Sequence, residues 1–228
     1  MAISVDKVYQ QVLALANKEQ RGYITPQEFN LLAPSAQMEI FEQYFYDENQ
    51  VDRNVKNSTQ YSNVDEMIDE KIAIFKRTGV VTMAAGLGTL PSQTYRLGTV
   101  FKTGSEIEVE QLTEEEMMYV RKSKLTKPST KYPAYYRLND TTIRVFPNIT
   151  AVRCNYIIKP VNPKWAYVVV NEKALYNATN AVDFQLHSSD ESELVYKILA
   201  LAGITIAKVG LRDVGNQEIT SQKTQEKQ

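Results

Sequence analysis

A single histidine, His187, and a single cysteine, Cys154, are the side chains with which this chain could most readily move protons or attack carbon. An imidazole titrates near neutrality and is the usual acid-base group. His187, however, stands just before a predicted helix start with no serine or cysteine elbow beside it, so it reads as a structural or surface residue. Cys154 falls within a predicted strand and reads as a small buried hydrophobe; alone, it excludes an internal disulfide. One histidine and one cysteine cannot assemble a zinc set. The acidic stretch lacks the alternating ligands and central glycine of a calcium loop, so no metal is expected. Gly86 and Gly88 follow a predicted strand and look superficially like a dinucleotide turn. The third glycine is missing, Pro91 intervenes, and no helix follows to aim its amino end at a phosphate. That segment reads as a flexible loop, with no cofactor. A hydrolase would need a carboxylate-only site, and no pair stands out among the many Asp and Glu residues. The expectation is a protein that is not an enzyme.

Charge offers a different kind of chemistry. Glu106, Glu108, Glu110, Glu114, Glu115 and Glu116 are followed by Arg121, Lys122, Lys124, Lys127 and Lys131. One reading is a solvated helix whose charges are screened. The sharper one is head-to-tail pairing, in which the acidic edge of one subunit meets the basic edge of the next and fixes register. Tyr132, Tyr135, Tyr136 and Arg137 lie near these lysines and could stack single-stranded bases. Against that, tyrosines in strands commonly pack, and the acidic neighbour repels phosphate. Tyr44, Phe45, Tyr46 and Trp165 join Glu114, Glu115, Arg121, Lys122, Lys124, Tyr132, Tyr135 and Tyr136 as candidate interface residues.

The elements that must position these groups read as helices, then sheet, then helix. Ser4 caps a first helix with Val5, Val8, Tyr9, Val12, Leu15 and Ala16 at helical spacing and Gly22 as its stop. Thr25, Pro26 and Glu28 form a second start. Pro34 is expected to break that helix and open another. From Met38 to Tyr46 the apolar residues Met38, Ile40, Phe41, Tyr44, Phe45 and Tyr46 occupy more than one face, so this helix is either sandwiched or partly offered to a partner. Asn63 and Glu66 cap a third, which Thr78 and Gly79 end. Strands follow at Val80–Met83, Tyr95–Lys102 and Ile107–Val109, and Thr113 with Glu116 caps a small helix through Val120.

From Tyr132 to Trp165 the chain reads as one compact antiparallel meander. It turns at Asn139 and Asp140, runs through Thr142–Phe146 to Pro147, and continues through Val152–Ile158 to Pro160. Ser188 and Glu191 open a last, core helix containing Leu194, Val195, Ile198, Leu199, Leu201, Ile204 and Ile206. Residues 211–228 hold little apolar material and read as an extended tail.

The fold class is therefore α+β. A helical region spans 1–78, a mainly β, meander or sandwich-like region 79–186, a C-terminal helix 187–210 and the tail 211–228, all in one compact domain. In a chain of 228 residues, 43% hydrophobic content suffices for a core. The 26 basic and 27 acidic residues nearly cancel, which disfavours nonspecific attraction to DNA or an anionic membrane. No basic stretch with an apolar run opens the chain and no 18-residue apolar run occurs, so neither secretion by that route nor a membrane span is expected.

Two stretches carry a resemblance. The first is Gln20–Asn30 (QRGYITPQEFN) with Ile40–Phe45 (IFEQYF). The second is Tyr132 and Pro133, then Ile143–Pro147 (IRVFP), then Tyr156, Ile157, Lys159, Pro160, Pro163 and Trp165. In these the chain resembles the portal-associated ring proteins of crAss-like tailed bacteriophages. The resemblance implies a virion protein made in the bacterial host cytoplasm. It would form a homo-oligomeric ring, a dodecamer matching the portal, within the head-to-tail connector or tail barrel. Its partners would be further copies of itself, the portal protein and neighbouring ring proteins, with genomic DNA passing through the lumen without tight binding and no membrane involved. The near-zero net charge suits a conduit, since a strongly basic lumen would retain the genome. The alternative is a non-virion nucleic-acid-binding factor using the Tyr- and Lys-rich region 121–137.

Overall fold

In a computed structural model, residues 2–18, 23–53 and 64–205 are described, together with Gln217 and Thr220. The expected stop at Gly22, the cap at Asn63 and Ile206 lie outside these residues. So does the tail 211–228 apart from Gln217 and Thr220, both in helical backbone where an extended one is expected. The fold is α+β: N-terminal helices, a mixed sheet and a C-terminal helix.

The chain divides into two compact units, one of Met1–Ile74 with Pro160–Gln228 and one of Phe75–Lys159. This differs from a single domain with a β region running to 186. The reason is that residues after Pro160 pair with helical-unit segments and with each other: Ile3 bridges Phe184, and Lys164 bridges Val182.

The helical unit holds α1 (Val5–Lys18), α2 (Pro26–Arg53), α3 (Val64–Ala73) and α5 (Glu191–Thr205). Ser4 begins α1 as expected, its carbonyl accepting from the Val8 amide at 3.2 Å. Thr25 and Glu28 form a reciprocal cap on α2, with the Thr25 amide donating to Glu28 Oε2 at 2.8 Å and the Glu28 amide to Thr25 Oγ1 at 3.2 Å. That pair of bonds holds the Glu28 carboxyl below the usual range.

Pro34 does not break the helix; it lies inside α2. An internal proline costs about 3 kcal/mol. Here Phe29 and Ala33 before it and Ala36, Ile40 and Phe41 after it are all buried, and their packing outweighs the lost hydrogen bond. Thr78 and Gly79 likewise do not end α3, which stops at Ala73, before the sheet begins.

A buried polar network ties three elements of this unit. Asp190, 1% exposed, accepts from the Tyr44 hydroxyl of α2, from Lys71 Nζ of α3 at 2.8 Å and from Ser189 Oγ at 3.1 Å, at the entrance to α5. Burial first, then the Asp190 charge, pushes the Tyr44 phenol far above its ordinary value. Trp165 is the apolar counterpart. Its ring lies 4.5 Å from that of Tyr9, its Nε1 donates to Asp6 at 2.9 Å, and its backbone exchanges two bonds with the Asn30 side chain.

The second unit is a seven-stranded sheet built from β1 (Lys76–Ala84), β2 (Leu87–Thr89), β3 (Thr94–Lys102), β4 (Glu110–Gln111), β5 (Ala134–Arg137), β6 (Thr142–Phe146) and β7 (Ala151–Ile158), in the order β3-β7-β1-β2-β6-β5-β4. It is not a simple meander. β7 pairs with β1 and β3, away from β6, and β4 runs parallel to β5. The expected flexible loop is also corrected. Ala85 and Gly86, both at positive φ, make the two-residue turn of a β1–β2 hairpin, and Gly88 is a strand residue. A Cβ on Gly86 would come within 2.9 Å of the Val145 carbonyl.

The ends of the sheet are joined by one segment. The Val109 amide donates to Val100 at 2.8 Å and the Lys102 amide to Ile107 at 2.9 Å. Directly after, the Glu110 amide donates to Pro133 at 3.0 Å and the Leu112 amide to Tyr135 at 2.9 Å. The result is a small closed barrel filled by Val81, Leu90, Val100, Val109, Tyr135, Ile143, Val145, Val152 and Cys154. Cys154 is buried, as its strand position implies, and burial pushes its thiol up.

The barrel's two chain ends meet, the Ile158 amide donating to the Phe75 carbonyl at 3.0 Å. A polypeptide of residues 75–159 is therefore expected to fold alone. Its far-ultraviolet dichroism should show strand with a cooperative thermal transition, and an unfolded spectrum would contradict the division into units.

Candidate functional site

Strand β6 presents two faces, because successive side chains alternate. Ile143 and Val145 enter the barrel, while Arg144 and Phe146 point outward beside Tyr136 of β5, whose ring stacks on Phe146 at 6.3 Å and 11°. Onto this outer face packs α4 (Glu114–Lys122). Its one buried residue, Met117, sits with Ala134 and Tyr136, with Leu112 and Phe146 around them. Full burial of a methionine is worth roughly 1.5–3 kcal/mol.

The sequence signal for this helix holds to the atom. Thr113 Oγ1 accepts from the Glu116 amide at 3.3 Å, and Glu116 Oε2 accepts from the Thr113 amide at 2.8 Å. Those bonds hold the Glu116 carboxyl below its usual range. Glu116 is thus committed to the cap. Glu114 and Glu115 in the same turn are exposed, with no partner among the described residues.

At the other end of α4, Arg121 lays its guanidinium 4.2 Å from the Phe146 ring centroid, and Arg144 approaches the same ring at 5.2 Å. Neither has a carboxylate partner among the described residues, and Arg144 Nε is buried without a hydrogen bond. Between and beyond the charges lie apolar side chains in water: Met118, Tyr119 at 74% exposure, Leu125 at 97%, and Tyr132, over whose ring Lys131 sits at 5.4 Å. Single exposed apolar residues are ordinary; here four of them stand on and after one charged helix.

The candidate interface residues thus separate. Tyr46, Glu114, Glu115, Arg121, Lys122, Lys124 and Tyr132 are exposed. Tyr44, Phe45, Tyr135, Tyr136 and Trp165 are buried within their own units, where they pack and bond as described and offer no ring to a partner. Tyr135 faces the barrel interior and its hydroxyl reaches Gln111 at 3.1 Å.

Two features went unpredicted. Arg144 and Phe146 were readable from the β6 alternation, but nothing in the sequence places Arg121 on the same ring. In the helical unit, the hairpin of β8 (Tyr167–Val170) and β9 (Lys173–Tyr176) leaves Val168, Val169, Val170 and Leu175 exposed on a two-stranded ribbon.

His187 takes the structural role expected of it. Its Nδ1 accepts from the Ser189 amide at 3.3 Å and lies 2.8 Å from Ser189 Oγ, capping the single 3₁₀ turn Ser188–Asp190. Asp190 contacts the serine rather than the imidazole, so the three do not form a relay. Among the described residues no group of His, Cys, Asp and Glu is placed to hold a metal, and no helix is long and apolar enough to cross a membrane. No protein-family model matches the chain, and no curated protein matches it in sequence.

Since the cap holds the first turn of α4, Thr113→Ala should leave the barrel intact and raise amide exchange at Met117–Val120 about fivefold. Unchanged exchange would show that Met117 alone holds the helix.

Proposed function

We propose that this chain is a noncatalytic structural subunit of a virion. Copies of it form a closed ring beneath the portal of a tailed bacteriophage, as part of the head-to-tail connector through which the genome passes. The observation that carries the reading is the outer face of the barrel. There an acidic turn and Arg121 of one short helix, with Arg144 of β6 against the same Phe146 ring, accompany the exposed Met118, Tyr119, Leu125 and Tyr132. A surface that displays both halves of a charge pair is self-complementary. When the two halves meet heterologously, the association builds a ring if the rotation between copies closes and a filament if it does not. The β8–β9 ribbon adds to this, since an isolated two-stranded hairpin with apolar side chains in water is marginal until something covers it. The likeness of Gln20–Phe45 and Tyr132–Trp165 to portal-associated ring proteins supplies the setting. In that setting the partners are the portal protein and adjacent rings, with DNA as cargo.

One specific feature favours a second reading. Tyr119 and Tyr132 stand exposed among Arg121, Lys122, Lys124, Lys127 and Lys131, a pattern suited to stacking single-stranded bases beside their phosphates. Glu114 and Glu115 on the same helix oppose it.

Electron microscopy of the purified protein, with and without portal, separates the two. Rings of one fixed subunit number, docking on the portal, are the expected result. A monomer at every concentration that shifts single-stranded DNA at micromolar levels in a salt-sensitive manner would replace the ring reading with the second one.

A further inference from the structure

We infer that Arg121, Arg144 and Phe146 form a carboxylate-binding site, and that its occupant is the first turn of α4, Glu114 and Glu115, of a second copy of this chain. The inference deepens the ring reading and rests on its premise that copies associate.

The site is built rather than incidental. Phe146 is held by the stacked Tyr136 ring and by the Met117 cluster it packs against. Two guanidinium groups lie 4.2 and 5.2 Å from its centroid, each attracted by the ring quadrupole, and neither has a carboxylate partner among the described residues. Arg121 is exposed, so a carboxylate arriving from outside can add a charge-assisted bond to the ring contact it already makes.

The choice of occupant follows from charge complementarity and from what each group is already doing. Glu116 is spent on the cap and Asp140 on Arg137, whereas Glu114 and Glu115 are exposed and uncommitted. They lie in one turn of α4, and arginine's planar fork suits a carboxylate better than lysine's point charge. Glu114 and Glu115 sit about 10 Å from Arg121 along α4 at ~1.5 Å per residue, too far for pairing within a copy and placed for exchange between copies.

Sedimentation velocity on the full chain tests this with two variants, E114K/E115K and R121E. Each alone should self-associate at least tenfold more weakly than wild type. Mixed in equal amounts they should regain association, because each supplies the charge the other lost, and a misfolded variant could not do so. R121K should weaken association less than R121E.

Wild-type association in both single variants, or loss that mixing fails to restore, overturns the inference. So does loss of DNA binding in R121E with association untouched, which would assign the site to phosphate. The ring reading is judged separately by the size of the species. Rings that persist in both variants refute the pairing and leave the ring. Mixing that restores only a closed dimer supports the pairing and refutes the ring.

Discussion

The segment around Val109 carries the architecture of the barrel unit. Its amide bonds to β3 on one side, and the next residue's amide bonds to the chain entering β5 on the other, so a few hydrogen bonds convert an open sheet into a closed one. Closure removes exposed edges that would otherwise invite uncontrolled pairing. It also sets where the chain leaves the barrel. Leu112 is still bonded to Tyr135, and Thr113 begins the cap immediately after. A nine-residue helix has little stability of its own. The pinned start, together with Met117 against Ala134 and Tyr136, is what holds α4 on the barrel.

The charges of the molecule fall into two groups with different fates. In the helical unit several are paired internally. Lys71 and Tyr44 satisfy Asp190, Lys197 meets Glu39 at 3.1 Å, and Lys7 bonds Glu191, whose carboxyl is held below its usual range by that bond. Of these ion pairs only Lys71–Asp190 is largely buried at both ends, and there desolvation offsets most of the attraction. On α4 the charges are left over. Glu114, Glu115, Arg121 and Lys122 have no charged partners among the described residues, and exposed Met118 and Tyr119 stand beside them on the helix. That contrast is the ground for proposing that a second copy pairs with α4.

What the sequence makes readable follows the range of the interactions involved. The caps at Ser4, Thr25 and Thr113, the turn at Asn139 and Asp140, and strand β6 at Thr142–Phe146 depend on residues a few positions apart, and all stand where local patterning puts them. Pro34 is different, because its cost is met by packing that only the folded chain supplies. The same holds for Trp165. It follows β7 closely in sequence yet is held by Asp6 and Asn30 of the other unit's helices, so a continuous aromatic stretch belongs to two units. The candidate surface was half readable. Charge segregation named Glu114, Glu115 and Arg121. Composition cannot tell a tyrosine in a core from one on a face, which is why Tyr135 and Tyr136 were grouped with the exposed Tyr132.

The account comes down to whether charge on the outer face of the barrel draws copies of this chain together. The most direct measurement is the weight-average mass of the unmodified protein by sedimentation equilibrium across a salt series, from about 0.05 M, where the screening length exceeds ~10 Å, to about 1 M, where it is ~3 Å. The prediction is an oligomer at low salt whose mass falls steadily as salt rises. A mass that stays at one subunit throughout, or an oligomer indifferent to salt, would contradict it.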